Sequence, residues 1–137
     1  MKRIVSIQDI SCIGKCSLTV ALPIISAAGI ETAVLPTAVL STHTAFAGGF
    51  TFRNLTEDLV PVSEHWKKEG FKFDAIYTGY LGSFEQLKIV SDFFDDFKDK
   101  NTVIIADPAM ADNGELYKGF TEKFARSMAC LCAKAIE

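Results

Sequence analysis

Polar side chains capable of binding or catalysis follow four short apolar runs of the sequence. Gln8 and Asp9 follow the first run, and a Ser-Thr-His-Thr stretch at residues 41–44 follows the second. The sequence TGYLGS at residues 78–83 follows the third run, and Asp107-Pro108 follows the fourth. Any one of these ends is also explained as a polar turn. Four such ends in one chain favour a binding site.

Two carboxylates near the fourth run have a spacing that suits a metal ion. Asp107 and Asp112 lie on either side of a proline-containing loop. Both side chains could face one cation and the phosphates that it holds. A turn residue and an exposed loop acid are the plainer alternative, and the spacing alone leaves both open.

The sequence contains no standard phosphate-binding loop. Gly14-Lys15 is followed by Cys16 instead of serine or threonine, and no glycine stands five positions before Gly14. The dinucleotide pattern GxGxxG is absent as well. A bound nucleotide must therefore be held by another arrangement.

The elements that must position these groups alternate along the chain. Four runs rich in Val, Ile, Thr and Ala predict buried strands, at residues 3–9, 32–40, 74–79 and 102–107. Helical periodicity separates and follows them, at residues 17–28, 56–69, 83–101 and 120–135. Ser83 and Gln86 have the spacing of a capping box, and Pro23 predicts a kink in the first helix.

This alternation predicts an α/β fold: a parallel sheet with right-handed crossovers and helices on both faces, in three layers. Residues 1–137 read as part of one domain without an internal boundary, and the pattern stops after the fourth strand–helix unit. In such a sheet ligands bind beyond the carboxyl ends of the strands, which is where the polar segments lie.

Composition and charge argue against several classes of partner and location. The net charge is −3 and no cluster of Lys and Arg occurs, which argues against nucleic acid. The apolar run after Met1 is too short for a secretory signal, and no stretch suits a membrane span, so we expect a cytoplasmic protein. The cysteines lack CxxC spacing, and buried or partly buried free thiols are expected at Cys12, Cys16, Cys130 and Cys132.

Several of these segments together resemble one enzyme family. Residues 8–15 and 40–49, TGYLGS at 78–83 and DPAMAD at 107–112 resemble, in order and spacing, the pyridoxal kinases of the ribokinase-like superfamily. The resemblance implies transfer of the γ-phosphoryl group of ATP to the hydroxymethyl group of pyridoxal, pyridoxine or pyridoxamine. It also implies Mg²⁺ as a cofactor, is compatible with a monovalent cation as a second one, and implies that the protein is a homodimer.

The resemblance assigns roles by position. The implied substrate-binding residues are Asp9, His43, Thr44, Tyr80 and Tyr117. Asp107 and Asp112 are implied to face the metal and the ATP phosphates. Family members are roughly twice as long, so the resemblance places the catalytic proton acceptor and the glycine-rich anion hole beyond Glu137. We therefore expect this chain alone to be inactive.

Two departures and two alternatives accompany the resemblance. Asp9 stands where the better-known pyridoxal kinases have serine, and an acid there could pair with a protonated pyridine nitrogen. Ala109 replaces a branched residue, which is expected to be a minor packing change. A hydroxymethylpyrimidine kinase of the same superfamily and a non-catalytic flavodoxin-like binding module are the alternatives.

Overall fold

The computed structural model describes residues 1–136. Its helices are α1 (Leu18–Ala27), α2 (Thr56–Lys68), α3 (Phe84–Phe97) and α4 (Glu122–Ile136). Its strands are β1 (Arg3–Ser11), β2 (Glu31–Leu40), β3 (Phe52–Asn54), β4 (Ala75–Thr78), β5 (Val103–Ala106), β6 (Ala111–Asp112) and β7 (Glu115–Leu116).

The main sheet has the strand order β3-β2-β1-β4-β5. Strands β2, β1, β4 and β5 run parallel, as the sequence predicts. Strand order reverses at β1, because β2 lies on one side of it and β4 on the other. Right-handed crossovers therefore place α1 and α2 on opposite faces, and the gap beyond the carboxyl ends of β1 and β4 becomes the expected ligand position. The α/β fold class is confirmed.

Three short strands were missed by the sequence analysis. The edge strand β3 pairs antiparallel with β2, so the sheet is mixed and not purely parallel. The chain returns along β2 after a loop, and three exposed residues carry too little pattern to mark a strand. β6 and β7 form a hairpin whose turn residues Asn113 and Gly114 both have positive φ. Asn-Gly is the usual signal for such a turn, and it was available in the sequence.

The core lies between the sheet and helices α2, α3 and α4. Val5, Ile7 and Ile76 are fully buried on this side of β1 and β4. They pack against a cluster that includes Val90 and Phe94 of α3. The predicted cap of α3 is confirmed, since the Ser83 hydroxyl accepts a hydrogen bond from the Gln86 amide at 3.1 Å. The sheet is thereby fixed from one side by a continuous apolar layer.

The other face of the sheet is only partly covered. Helix α1 packs over β1 and β2 and contains Pro23. Tyr77 and Ile105 are neighbours on this face of β4 and β5, and Ile105 and Val103 are 53% and 58% exposed. The β4–β5 part of the face is therefore open to solvent. No helix within residues 1–136 is long and apolar enough to cross a bilayer.

The expectation for the cysteines was largely wrong. All four are free thiols, but Cys12, Cys16 and Cys130 are exposed and only Cys132 is half-buried. Cys12 and Cys16 lie in the loop between β1 and α1, and Cys130 is an exposed residue of α4. Apolar character of a thiol is thus a poor guide to burial when the residue lies in a loop or on a helix surface.

Candidate functional site

A cavity of about 800 Å³ opens at the carboxyl ends of the parallel strands, on the side of the sheet that carries α1. Its size is typical of sites for small molecules. Six of the seven predicted site residues line it: Asp9, His43, Thr44, Tyr80, Asp107 and Tyr117. Asp112 does not line it, and lies exposed in β6. The structure thus brings residues from five separate parts of the chain to one place.

Asp9 lines the cavity and is only 4% exposed. The register between β1 and β2 shifts between Gln8 and Ile10, opposite Pro36, which has no amide hydrogen to donate. Asp9 lies at this irregularity. Its carboxylate accepts hydrogen bonds from the hydroxyls of Ser17 at 2.5 Å and Ser11 at 3.2 Å.

Tyr80 forms an aromatic wall beside Asp9. Its ring stacks on Phe120, with 5.6 Å between ring centroids and an interplanar angle of 17°. Burial, and secondarily the negative charge of Asp9, raises the pKa of Tyr80 above its ordinary value. The phenol therefore stays protonated at neutral pH and can donate as well as accept a hydrogen bond.

Much of the TGYLGS segment is architectural. A Cβ on Gly79 would come within 2.4 Å of the Gln8 side-chain oxygen, and one on Gly82 within 3.2 Å of the Tyr80 hydroxyl. Both glycines let neighbouring side chains approach the backbone closely. The Gln86 amide group fixes the same segment, because it accepts from the Gly82 amide at 2.7 Å and donates to the Thr37 carbonyl at 3.0 Å.

His43 and Thr44 reach the cavity because two loops pack together. The His43 amide donates to the Ile13 carbonyl at 3.2 Å, and its ring lies against Gly14. Gly14 has φ of +118°, and a Cβ there would be 2.2 Å from the His43 ring. The His43 Nδ1 accepts from the Ala45 amide at 3.2 Å. The loop after β2 is thus held against the loop after β1.

The acidic side of the cavity is formed by Asp107, the first residue after β5. The Asp107 amide donates to the Thr78 carbonyl at 3.2 Å, which extends the β4–β5 ladder to the first residue of the loop. The pKa of Tyr117 is raised by burial and then by the negative charges of Asp112 and Asp107. Both acids therefore lie near this ring, although only Asp107 lines the cavity.

The donor set fits a magnesium ion only in part. Within residues 1–136 no group of three or more His, Cys, Asp or Glu side chains is arranged to hold a metal. Mg²⁺ is commonly held by one or two carboxylates together with substrate phosphates and water. Asp107 and Asp112 both lie near the Tyr117 ring, so two carboxylates are available to that mode, whereas a metal site built from protein ligands alone is not seen within residues 1–136.

Comparison with known proteins defines the fold. No family model and no curated protein sequence matches the chain. A solved structure from Bacteroides thetaiotaomicron, assigned as a phosphomethylpyrimidine kinase and crystallised with pyridoxal, is 47% identical over 98% of this chain, with a TM-score of 0.94. Pyridoxal kinase from Lactobacillus plantarum is 31% identical over 96% of the chain, with a TM-score of 0.86. The chain has a ribokinase-like fold.

The resemblance to pyridoxal kinases is confirmed by these ribokinase-like neighbours. Pyridoxal kinase from Leishmania donovani, solved with ADP and pyridoxine, is only 20% identical and supports the fold alone, with a TM-score of 0.88. This chain spans 46% of the length of the Bacteroides and Lactobacillus proteins and 48% of the length of the Leishmania protein. That residues 1–137 are the N-terminal part of a single domain, without an internal boundary, stays a prediction.

Ser17 was missed as a site residue by the sequence analysis. It was included only as the start of a helix, since serine before an apolar periodic run is a common N-cap. In the ribokinase-like structure its hydroxyl contacts Asp9, and it makes no cap hydrogen bond. No sequence signal distinguishes these two uses of a serine.

Proposed function

We propose that this chain forms the vitamer-binding side of a kinase that transfers the γ-phosphoryl group of ATP to the hydroxymethyl group of pyridoxal, pyridoxine or pyridoxamine. One observation carries the proposal. A cavity at the carboxyl ends of the strands collects Asp9, His43, Thr44 and Tyr80 in a chain 47% identical to a protein crystallised with pyridoxal.

The chemistry of the cavity suits a substituted pyridine. Tyr80 is held by Phe120 and offers an aromatic face for ring stacking. Asp9 offers carboxylate oxygens that can accept hydrogen bonds from a ligand in the cavity. His43 and Thr44 add groups that can bond the ring substituents, and Tyr117 lines the same cavity near Asp107.

Asp107 and Asp112 are proposed to face the ATP phosphates. Mg²⁺ bound with ATP would neutralise charge as the phosphoryl group moves, and these two carboxylates are the residues of this chain that would hold it. Phosphoryl transfer depends mainly on positioning and charge, so carboxylates near the strand ends are suitable groups. The monovalent cation, the homodimer and a cytoplasmic location stay predictions.

The location of the catalytic proton acceptor beyond Glu137 also stays a prediction. It implies that the 137-residue chain binds a vitamer without phosphorylating it. Formation of pyridoxal 5′-phosphate from ATP and pyridoxal should then be more than tenfold slower than with a full-length homologue, a barrier difference above about 1.4 kcal/mol. A rate within tenfold of that homologue would place the catalytic groups inside the present sequence.

A hydroxymethylpyrimidine kinase is the second candidate. The 47% identical relative is assigned as a phosphomethylpyrimidine kinase, although it was crystallised with pyridoxal. Both substrates are heteroaromatic alcohols that could stack on Tyr80. Preference between them is therefore a question of affinity and rate, and not of fold.

Isothermal titration calorimetry of the chain with pyridoxal and with hydroxymethylpyrimidine tests the proposal. We expect pyridoxal to bind more tightly, and Tyr80→Ala to weaken it about 3- to 10-fold, the usual value of one aromatic contact. Tyr80→Phe is the matched control because it keeps the ring, and its affinity should stay closer to that of the wild type. Tighter binding of the pyrimidine would favour the second candidate, and binding unaffected by Tyr80→Ala would remove the ring from the site.

A further inference from the structure

Ser17 has an unusual backbone for a serine. Its φ is +55° and its ψ is −129°, a region that favours glycine and costs energy for any residue with a side chain. The residue is held there from both directions. It forms an isolated antiparallel bridge with Ile10 of β1, and its carbonyl accepts from the Ala21 amide at 3.0 Å in the first turn of α1.

The Ser17 hydroxyl is not used to stabilise the helix. A serine at this position commonly accepts a hydrogen bond from an amide of the first turn, but Ser17 makes no such bond. Its hydroxyl donates to Oδ1 of Asp9 at 2.5 Å, while the hydroxyl of Ser11 donates to Oδ2 at 3.2 Å. Each carboxylate oxygen is therefore fixed by one hydroxyl.

Asp9 is buried without a cationic partner. None of the ion pairs found in residues 1–136 involves Asp9. A buried acid usually needs an opposite charge or several hydrogen bonds to offset the loss of water. Two hydroxyls occupy about half of the acceptor capacity of a carboxylate, and the residue lines the cavity. The remaining acceptor positions are available to a ligand.

We propose that Ser17 is a positioning residue which, with Ser11, aims the Asp9 carboxylate so that the cavity selects rings bearing a protonated nitrogen. This inference rests on the proposed function and specifies its substrate class. A ring N–H⁺ would supply both the hydrogen-bond donor and the opposite charge that Asp9 lacks within the chain. The strained backbone of Ser17 is the means of bringing its hydroxyl to Oδ1.

The test compares two ligands in the wild-type chain, in two variants of Ser17 and in one variant of Asp9. The ligands are pyridoxine and its benzene analogue, in which C–H replaces the ring nitrogen. We expect the wild-type chain to prefer pyridoxine about 10- to 100-fold by calorimetry, the usual value of a charged hydrogen bond. Ser17→Ala and Ser17→Gly should each lower that ratio at least about fivefold. Asp9→Asn should lower the ratio further.

The glycine variant separates positioning from structure. Ser17→Gly relieves the backbone strain, so its melting temperature should equal or exceed that of the wild type, while Ser17→Ala should not gain stability in this way. A Ser17→Gly chain that keeps the wild-type ligand ratio would overturn the inference and leave the proposed function intact. Failure of the wild-type chain to bind either ligand would overturn both.

Discussion

Replacing Gln86 with leucine should loosen the segment that carries Tyr80. Gln86 is 2% exposed. Its side-chain oxygen accepts a hydrogen bond from the Gly82 amide at 2.7 Å. Its side-chain nitrogen donates to the Thr37 carbonyl at 3.0 Å and to the Thr56 hydroxyl at 2.9 Å. A leucine side chain has a similar size but makes none of these bonds. The substitution therefore removes one link between α3, β2 and the loop after β4.

The three hydrogen-bond partners of Gln86 each keep another hydrogen bond or contact with water, and this limits the loss of stability. Thr37 O also accepts from the Leu55 amide at 3.1 Å, Thr56 Oγ1 also donates to Asn54 at 2.6 Å, and Gly82 is exposed to water. No partner is left fully unsatisfied, so each lost bond should cost only its net value of about 1 kcal/mol. The apolar side chain recovers part of the total of about 3 kcal/mol, which leaves a loss of about 2 kcal/mol.

Urea unfolding and thermal unfolding, each followed by circular dichroism, measure this loss of stability. We expect Gln86→Leu to lower the free energy of unfolding by about 2 kcal/mol and the melting temperature by roughly 6 °C. Glu85→Gln, at the exposed neighbouring position, is the control and should change stability by less than about 0.5 kcal/mol. A Gln86→Leu chain as stable as this control would show that the loop is held by other contacts.

Three further outcomes are expected. Asp107→Asn, made in a complete kinase that contains this chain and assayed with ATP and Mg²⁺, should lower turnover at least tenfold more than it weakens vitamer binding, and equal effects on both would place the carboxylate beside the vitamer ring. The pKa of Tyr80 is raised by burial and then by the negative charge of Asp9, so its ionisation should occur at a higher pH than that of a free tyrosine, and Asp9→Asn should lower its pKa. Phenolate absorbance of a chain in which Tyr77 and Tyr117 are replaced by phenylalanine measures this, because burial raises the pKa of those two tyrosines as well. Stability from Tyr80 is complete below about pH 10 and falls as the pH rises toward the folded-state pKa, and a normal titration would contradict the described burial. Val103 and Ile105 are exposed apolar side chains of the edge strand β5, a surface that favours self-association. Replacing both with lysine should therefore reduce self-association, measured as a later elution in size-exclusion chromatography. An unchanged elution volume would assign any oligomer to another surface.

The sequence predicted the parallel strands and their helices because these elements have strong local patterns. Continuous apolar runs marked β1, β2, β4 and β5, and Thr56 and Ser83 marked the starts of two helices. Short strands have no such pattern. β3 exists because a loop returns the chain to the edge of β2, which is a tertiary effect.

The site was predictable only at the level of position. The rule that ligands bind beyond the carboxyl ends of parallel strands led to Asp9, Tyr80 and Asp107, and all three line one cavity. The role of Ser17 depends on a strained backbone angle, and that of Gln86 on three partners distant in sequence. Neither a positive φ at serine nor a long-range hydrogen bond leaves a periodic signal in the sequence.

Amide chemical-shift mapping of the ¹⁵N-labelled chain during titration with pyridoxal tests the central claim most directly. The account predicts saturable shifts at Asp9, Gly79, Tyr80 and Asp107, around the cavity, with little change on the outer surface of α3. The Tyr80→Ala chain should need more pyridoxal to reach the same shifts. Saturable shifts confined to other surfaces, or none at millimolar pyridoxal, would contradict a vitamer site in this cavity.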